Sequence, residues 1–443
     1  MKKTPPYLHL LVIPLLLFLF IGGTFLFPPE TGAQEQNPES PTVITDAQSL
    51  GAPPSLSVPV DFEVRPQLTE GADTYLVTIY PGEELYSSFG HTAIRIKDPA
   101  VDLDILYNYG QSSVPFDSGF VPHFVKGQLP FMLGVIDTER AYNFYIKHED
   151  RTIYEQRLNL SNKKKTELYR FLAFNALPEN RVYIYDFFFD NCTTRIRDIF
   201  TYLFGSSMSY RLAEQEMSFR EIIAPYLYHT PFISFGIDLV FGSVSDKKPA
   251  LEDRLFLPFQ LMDAVENAET ASEESPLEGD TRFVYRQKRP DPKPPAVGPG
   301  LLLWILAATA TAASLGRFRY SVPARIMDGL IFGLAGLLGS LMLLLWLFSG
   351  YEMATANYNL LWAWPPHIIA AFIGFRGGRR HRLLFYYFAA ASAIAAVFLA
   401  VSPFIPQTLP SAAVPFILAL IVRSINRIIP LPFSRVAEKP TSH

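Results

Sequence analysis

Residues 329–351 read GLIFGLAGLLGSLMLLLWLFSGY, a run of 23 without one charged side chain. About 20 apolar residues of α-helix cross a hydrocarbon layer ~30 Å thick, so this stretch reads as a membrane span. Three more uncharged stretches surround it: 296–316, 353–375 (interrupted only by His367) and 383–422. The last is too long for one helix. Pro403, Pro406 and Pro410 divide it, because proline lacks a backbone donor and clashes with the preceding turn. Five helices are therefore expected over 298–430, followed by a tail at 431–443.

Charge orients them. Arg317, Arg319 and Arg325 separate the first two helices, Arg376, Arg379, Arg380 and Arg382 the third and fourth, and Arg423 and Arg427 follow the fifth. The alternate loops, near 352 and at 403–410, hold no Lys or Arg. Basic loops stay cytoplasmic. At the other end an apolar run over 10–27 follows Lys2 and Lys3, and the nearest small-residue cleavage site, 32–34, is poor. Residues 1–27 are thus expected to be a membrane anchor or a signal sequence, the weak cleavage site favouring an uncleaved anchor, with its start in the cytoplasm. Both ends place the intervening chain outside.

Residues 28–72 and 269–297 are rich in Pro, Glu, Ser and Thr and read as linkers. Between them, 73–268 suffice for one compact domain. It opens with strand patterns at 74–80, 92–97 and 105–109, continues with a helix at 161–177 capped by Ser161, and returns to an aromatic strand at 182–189. A helix follows from Cys192, with Asp190 or Asn191 as its cap. The expected architecture is an extracytoplasmic α+β domain with an antiparallel sheet, fused to an all-α transmembrane bundle.

Of the 443 residues 18% are charged, and the formal net charge is −4; no basic face marks a nucleic-acid binder. No cofactor is implied. There is no HExxH, no Cys pair, no clustered His, no glycine-rich phosphate loop and no GxSxG. The one cysteine, Cys192, excludes an internal disulfide. It falls at the first turn of a helix, where unpaired N–H groups and the helix dipole favour a thiolate and can hold an oxyanion. An inert, buried cysteine is the competing reading. A nucleophilic thiol needs a base. His9, His367, His381 and His443 lie in or beside membrane segments or at the tail, leaving His91, His123, His148 and His229; His91, at a strand start, is the most rigidly held.

The strings SSFGHTAIRI (87–96), YNYG (107–110), PENRVYIYDFFFDNCTTRIRD (178–198), FGIDLVFG (235–242), FLP (256–258) and NYNLLWAWPPH (357–367) resemble the Lnb N-terminal periplasmic domain family and part of its membrane half. The resemblance runs in order over 74–268 and patchily to 367. It implies a permuted papain-like fold in which the histidine precedes the cysteine. It also implies a lipoprotein transacylase of the bacterial inner membrane that moves an acyl chain from the lipid on the N-terminal cysteine to that cysteine's amine. His91 and Cys192 match that order. Asn108, on the next strand, is the candidate to orient the imidazole; a backbone-satisfied strand asparagine is the plain alternative. Arg195, one turn after Cys192, is a candidate for a substrate anion or a partner for Asp198. Phe116, Phe120 and Phe124, in a greasy loop, are candidates for acyl-chain contact, whereas Tyr183, Tyr185, Phe187 and Phe189 read as core. Asn357 and His367 are candidate substrate contacts at the outer end of a helix. The partners expected are lipid-modified proteins or membrane lipid. A thiol hydrolase of the envelope, or a non-catalytic module binding lipid or cell wall, would share these features.

Overall fold

The computed structural model describes residues 58–113, 120–205, 208–210, 216–270, 277–315, 321–376 and 382–428. The expected anchor at 1–27, Phe116, Arg317, Arg319, Arg379, Arg380 and the tail at 431–443 lie outside the described residues. The chain forms two compact units: residues up to 226 with 248–293, and residues 227–247 with 294 onward.

Among the described residues the first unit is built on nine strands: β1 Asp73–Ile79, β2 His91–Asp98, β3 Leu103–Ser112, β4 Pro130–Asp137, β5 Ile153–Leu158, β6 Val182–Ile184, β7 Met208–Tyr210, β8 Ala268–Thr270 and β9 Glu278–Tyr285. Seven form one antiparallel sheet in the order β6-β4-β3-β2-β1-β5-β9, and β7 pairs β8 apart from it. The helices of this unit are α1 Phe120–Val125, α2 Thr138–Phe144, α3 Asn162–Asn175, α4 Cys192–Phe204, α5 Phe219–Ile223 and, after α6 Pro231–Val240 of the other unit, α7 Pro258–Glu266. The α+β expectation and the antiparallel sheet are met.

Strand alternation divides the apolar residues between two faces. Leu76, Ile94, Ile96, Tyr107 and Leu133 pack with Leu168, Phe171 and Leu172 of α3 and Ile196, Ile199, Phe200 and Leu203 of α4. Val77, Ile79, Ala93, Leu106 and Ile153 pack with Ala141 and Tyr142 of α2 and with Tyr145. Ser161 caps α3 as expected, accepting from Lys164 N.

Both linkers are shorter than their composition suggests. In the first, Val58, Val64 and Leu68 pack on the core, the Phe62 ring meets Phe174 edge-on at 5.2 Å, and Arg170 donates to the carbonyls of Pro59, Val60 and Phe62. The second contributes β9, an outer strand of the main sheet. Glu155, fully buried on β5, explains why it docks: its carboxylate accepts from Arg95 Nη1 at 2.6 Å and Tyr142 Oη at 2.5 Å, and from Arg282 Nε of β9 at 2.7 Å. A carboxylate so deep must be paired, and Arg282 completes the pairing. Proline and charge around a short strand conceal it from a compositional reading.

The second unit holds α6 with α8 Pro299–Ala313, α9 Val322–Phe348, α10 His367–Arg376, α11 Arg382–Val401 and α12 Ala413–Ile428. Helix α9, and α11 with its continuation to Phe404, are long and apolar enough to cross a membrane. The prolines at 403, 406 and 410 separate α11 from α12 as expected. Two corrections apply. No helix fills 353–375: short 3₁₀ turns at Glu352–Ala354 and Tyr358–Leu361 precede α10, since Pro365 and Pro366 bar a helix through them. And residues 227–247 leave the extracytoplasmic domain, expected to be unbroken over 73–268, to pack in this unit.

Satisfied backbone accounts for that docking. A helix ends with unpaired carbonyls, costly in an apolar surround. At the end of α6, Asn357 Nδ2 donates to Leu239 O at 2.8 Å and Val240 O at 2.9 Å, Asn359 Nδ2 to Leu239 O at 3.1 Å, and Gln407 Nε2 to Phe241 O at 3.3 Å. Gly242 N then donates to Met353 O at 2.8 Å. At the far end of α9, Asp328, buried, is held by Arg423 Nε at 2.5 Å and by Arg427.

Glycines on α9 let the 363–371 segment press against it. A Cβ on Gly339 would lie 1.8 Å from Ala363 O, and one on Gly336 2.5 Å from Ile368 N, whereas one on Gly333 would meet only Ala371 Cβ at 3.9 Å. Close backbone approach of this kind uses small residues in membrane bundles. Gly339→Ala should therefore lower stability in detergent by about 1–3 kcal/mol, the usual range for overpacking, while Gly333→Ala is neutral or slightly stabilising. Thermal unfolding of the two variants checks this; equal melting temperatures would contradict the packing.

Candidate active site

The approach to Cys192 is fixed before the helix begins. Asp186 and Asp190 exchange backbone hydrogen bonds at 3.0 and 2.9 Å, closing a tight loop over Phe187, Phe188 and Phe189, and Asp186 Oδ1 accepts from the N–H groups of Phe188 and Phe189. Asn191 is the N-cap of α4. Its Oδ1 accepts from Thr193 N at 2.7 Å and Thr194 N at 2.9 Å, and its Nδ2 donates to Phe187 O at 2.7 Å and Phe256 O at 2.8 Å. Thr194 Oγ1 accepts in return from Asn191 N at 2.8 Å. The carboxamide has thus filled two acceptor and two donor places. This narrows the expected oxyanion site: two of the helix-start N–H groups already serve the cap, and the Cys192 N–H is the donor there outside it.

His91 opens β2, and Asn108 lies on β3. The β2–β3 register pairs Ile94 with Tyr107, and one step further sets Asn108 opposite Ala93, on the strand face that His91 shares by alternation. His91 Nε2–H donates to Asn108 Oδ1, which leaves Nδ1 as the ring nitrogen available to the sulfur, and the imidazole and the thiol lie near enough for each to shift the other's titration. Asn108 Nδ2 donates in turn to Tyr145 Oη at 3.5 Å. Gly110 sits beside both Cys192 and His91. A Cβ there would stand 3.7 Å from Cys192 Cβ and 3.7 Å from His91 Cε1, and its φ of +94° is itself a glycine conformation. Bare backbone at 110 keeps the space over the pair open.

The electrostatics favour a charged pair. Burial pushes the Cys192 thiol up, but the His91 charge, the His91 hydrogen bond, the Thr92 N–H and the Thr193 hydroxyl outweigh it and bring the thiol down to about 7. Burial lowers His91, yet the Cys192 charge and the hydrogen bonds to Cys192 and Asn108 raise it overall. Both shifts point to thiolate and imidazolium, the state of an activated thiol nucleophile. Cys192 is half-buried, so the sulfur is neither sealed in the core nor fully solvated.

The structure therefore brings Cys192, His91 and Asn108 together; the other candidates are placed differently. Arg195 does not wait for an anion, nor does it pair Asp198. It forms a two-point ion pair with Asp190 at 2.5 and 2.6 Å and lies over the Tyr183 ring at 4.3 Å, while Asp198 takes Arg197. Asn357 is buried, and its amide is spent on the α6 carbonyls, Asn359 N and Gln407. His367 is buried too; its ring nitrogens meet Trp362 O at 3.1 Å and Tyr387 Oη at 2.5 Å. These three are packing residues whose polar atoms are already used. Phe124 is exposed on α1, Phe120 begins that helix, and Phe116 lies outside the described residues. Tyr183 and Phe188 are buried, and Tyr185 stacks on Phe131, as core aromatics do. Among the described residues no group of three or more His, Cys, Asp or Glu is placed to hold a metal. The residues missed in the sequence are Thr92, Thr193 and Tyr145, for no motif marks a threonine or tyrosine as the neighbour of a distant pair.

Two family models match this chain: the Lnb N-terminal periplasmic domain over residues 69–224 and the Lnb transmembrane domain over residues 292–431. The chain belongs to the Lnb family. It is a membrane protein with a periplasmic domain, and the three juxtaposed residues fall within the match to that domain. No curated protein and no solved structure matches it. Residues 225–291 of this Lnb protein, including α6 and β9, lie between the two matches.

The thiol shift yields a measurable pH dependence. Alkylation of Cys192 should rise with a midpoint near pH 7, because the thiolate is lost as pH falls through the depressed value. In His91→Ala the lowering causes are largely removed and burial remains, so the midpoint should move above the ordinary ~8.5 of a free thiol. Equal profiles for the two proteins would refute the pairing.

Proposed function

We propose that this protein is an acyltransferase that moves an acyl chain from the lipid on a lipoprotein's N-terminal cysteine, by way of Cys192, to that cysteine's own amine, at the outer face of the inner membrane. The observation that carries the reading is the juxtaposition of Cys192 with a His91 that is hydrogen-bonded to Asn108, inside the periplasmic domain of an Lnb-family membrane protein.

The Cys192 thiolate attacks the ester carbonyl, and the carbonyl electron pair moves to oxygen, where the Cys192 N–H stabilises it. When the tetrahedral adduct collapses, the ester C–O bond breaks and the His91 imidazolium gives its proton to the departing alkoxide. An acyl thioester on Cys192 and a neutral imidazole remain. The incoming amine then attacks the thioester, His91 takes the amine proton, and the thiolate leaves. Asn108 holds His91 by Nε2 throughout, so Nδ1 stays aimed at the sulfur. Amide formation outcompetes hydrolysis only if the amine is held close and water is kept away. The ester and the amine belong to the same lipidated cysteine, so the acceptor is already beside the thioester when it forms.

Mass spectrometry of a reporter lipoprotein incubated with the enzyme in lipid vesicles tests the reading. One acyl chain of the reporter should pass from ester to amide linkage at its N-terminal amine with no change in total mass, and Cys192→Ser or His91→Ala should each reduce that transfer by at least about 10³-fold, the scale of losing a nucleophile or its base. Release of free fatty acid with an unmodified amine would assign hydrolysis instead. Full activity of Cys192→Ser would end the thiol proposal.

A further inference from the structure

The residues next to the reacting pair carry a second contact between the same two elements. Thr92 follows His91 on β2, and Thr193 follows Cys192 on α4. Their hydroxyls lie 3.2 Å apart, in a bond spanning 101 positions of sequence, and both residues are fully buried. Thr193 Oγ1 is also 3.8 Å from Cys192 Sγ, within hydrogen-bond reach of sulfur. The Thr193 N–H is already taken by Asn191, so its hydroxyl is the group of Thr193 directed to the pair.

We infer that Thr193 is the positioning residue of this site: its hydroxyl donates to the Cys192 thiolate while accepting from Thr92, and so fixes both the charge on the sulfur and the seating of α4 on β2 beside His91. This rests on the reading of Cys192 as the nucleophile. A hydroxyl has one proton and two acceptor places, so the two roles are compatible: Thr92 Oγ1–H points to Thr193, and Thr193 Oγ1–H points to the sulfur. The order matters. Were Thr193 to donate to Thr92 instead, the sulfur would lose a donor; the charge on the thiolate favours the first arrangement, because hydrogen bonds to charged acceptors are the stronger ones. Lowering of the thiol by Thr193 and by the Thr92 N–H accords with it.

The test is the pH profile of Cys192 alkylation in the full-length protein in detergent, with iodoacetamide as probe, alongside acyl transfer. Thr193→Val keeps the shape and removes the hydroxyl; its midpoint should rise by about one pH unit, the scale of one hydrogen bond to a charged group, leaving about tenfold less thiolate below the wild-type midpoint. Thr193→Ser should restore the wild-type midpoint. Thr92→Val, which retains the Thr92 N–H, should shift it in the same direction by less, and it reports on the clamp even if Thr193→Val does not fold. Wild-type midpoints in both valine variants would overturn the inference, as would a Thr193→Ser midpoint equal to that of Thr193→Val. A wild-type thiol that titrates as a free cysteine would instead overturn the nucleophile itself, so the two failures are distinct.

Discussion

A sulfur and an imidazole from positions 192 and 91 meet in the periplasmic unit, and each favours the charged form of the other. Neither group would hold its charge alone: burial opposes the thiolate and the imidazolium alike. Each is the other's main compensation. The arrangement then depends on position, since a charge pair in a low-dielectric setting loses its advantage quickly with distance. Three devices fix that position. Asn191 ties the start of α4 to Phe187 and Phe256, Asn108 holds the far nitrogen of His91, and Gly110 leaves the space that a side chain would occupy.

The second unit obeys a different constraint. In lipid no water rescues an unpaired carbonyl, so wherever a helix stops the chain supplies amides. Asn357, Asn359 and Gln407 converge on the end of α6. A short helix arising between the two family domains is thereby held in the membrane unit by the capping of its carbonyls and not by its length. Asp328, Arg423 and Arg427 solve the parallel problem for charge, one carboxylate satisfying two guanidinium groups. Polar residues that look like substrate contacts in a hydrophobic sequence turn out to be the fastenings of irregular backbone.

That distinction marks how far the sequence could be read. Periodicity and proline placement reveal the helices that run through apolar stretches, and the alternation of β2 and β3 reveals the strands that carry His91 and Asn108. The helix start at Cys192 is legible because Asn191 is a strong cap. What stays hidden depends on partners distant in sequence. Strand β9 is invisible because its docking rests on Arg282 meeting Glu155, 127 positions away. The broken segment at 353–375 is apolar enough to pass for a span, and only the Pro365-Pro366 pair warns otherwise. Arg195 looks like an anion site until Asp190 is seen to occupy it, and Thr193 looks like any helix residue until Thr92 is found opposite.

The most direct measurement is the mass of the peptide containing Cys192 after the enzyme has met a diacylglyceryl lipopeptide whose N-terminal amine is blocked. The account predicts an acyl adduct on Cys192 that hydroxylamine removes, as a thioester requires. An unmodified Cys192 in enzyme that nonetheless converts the unblocked lipopeptide, or an adduct on another residue, would contradict it.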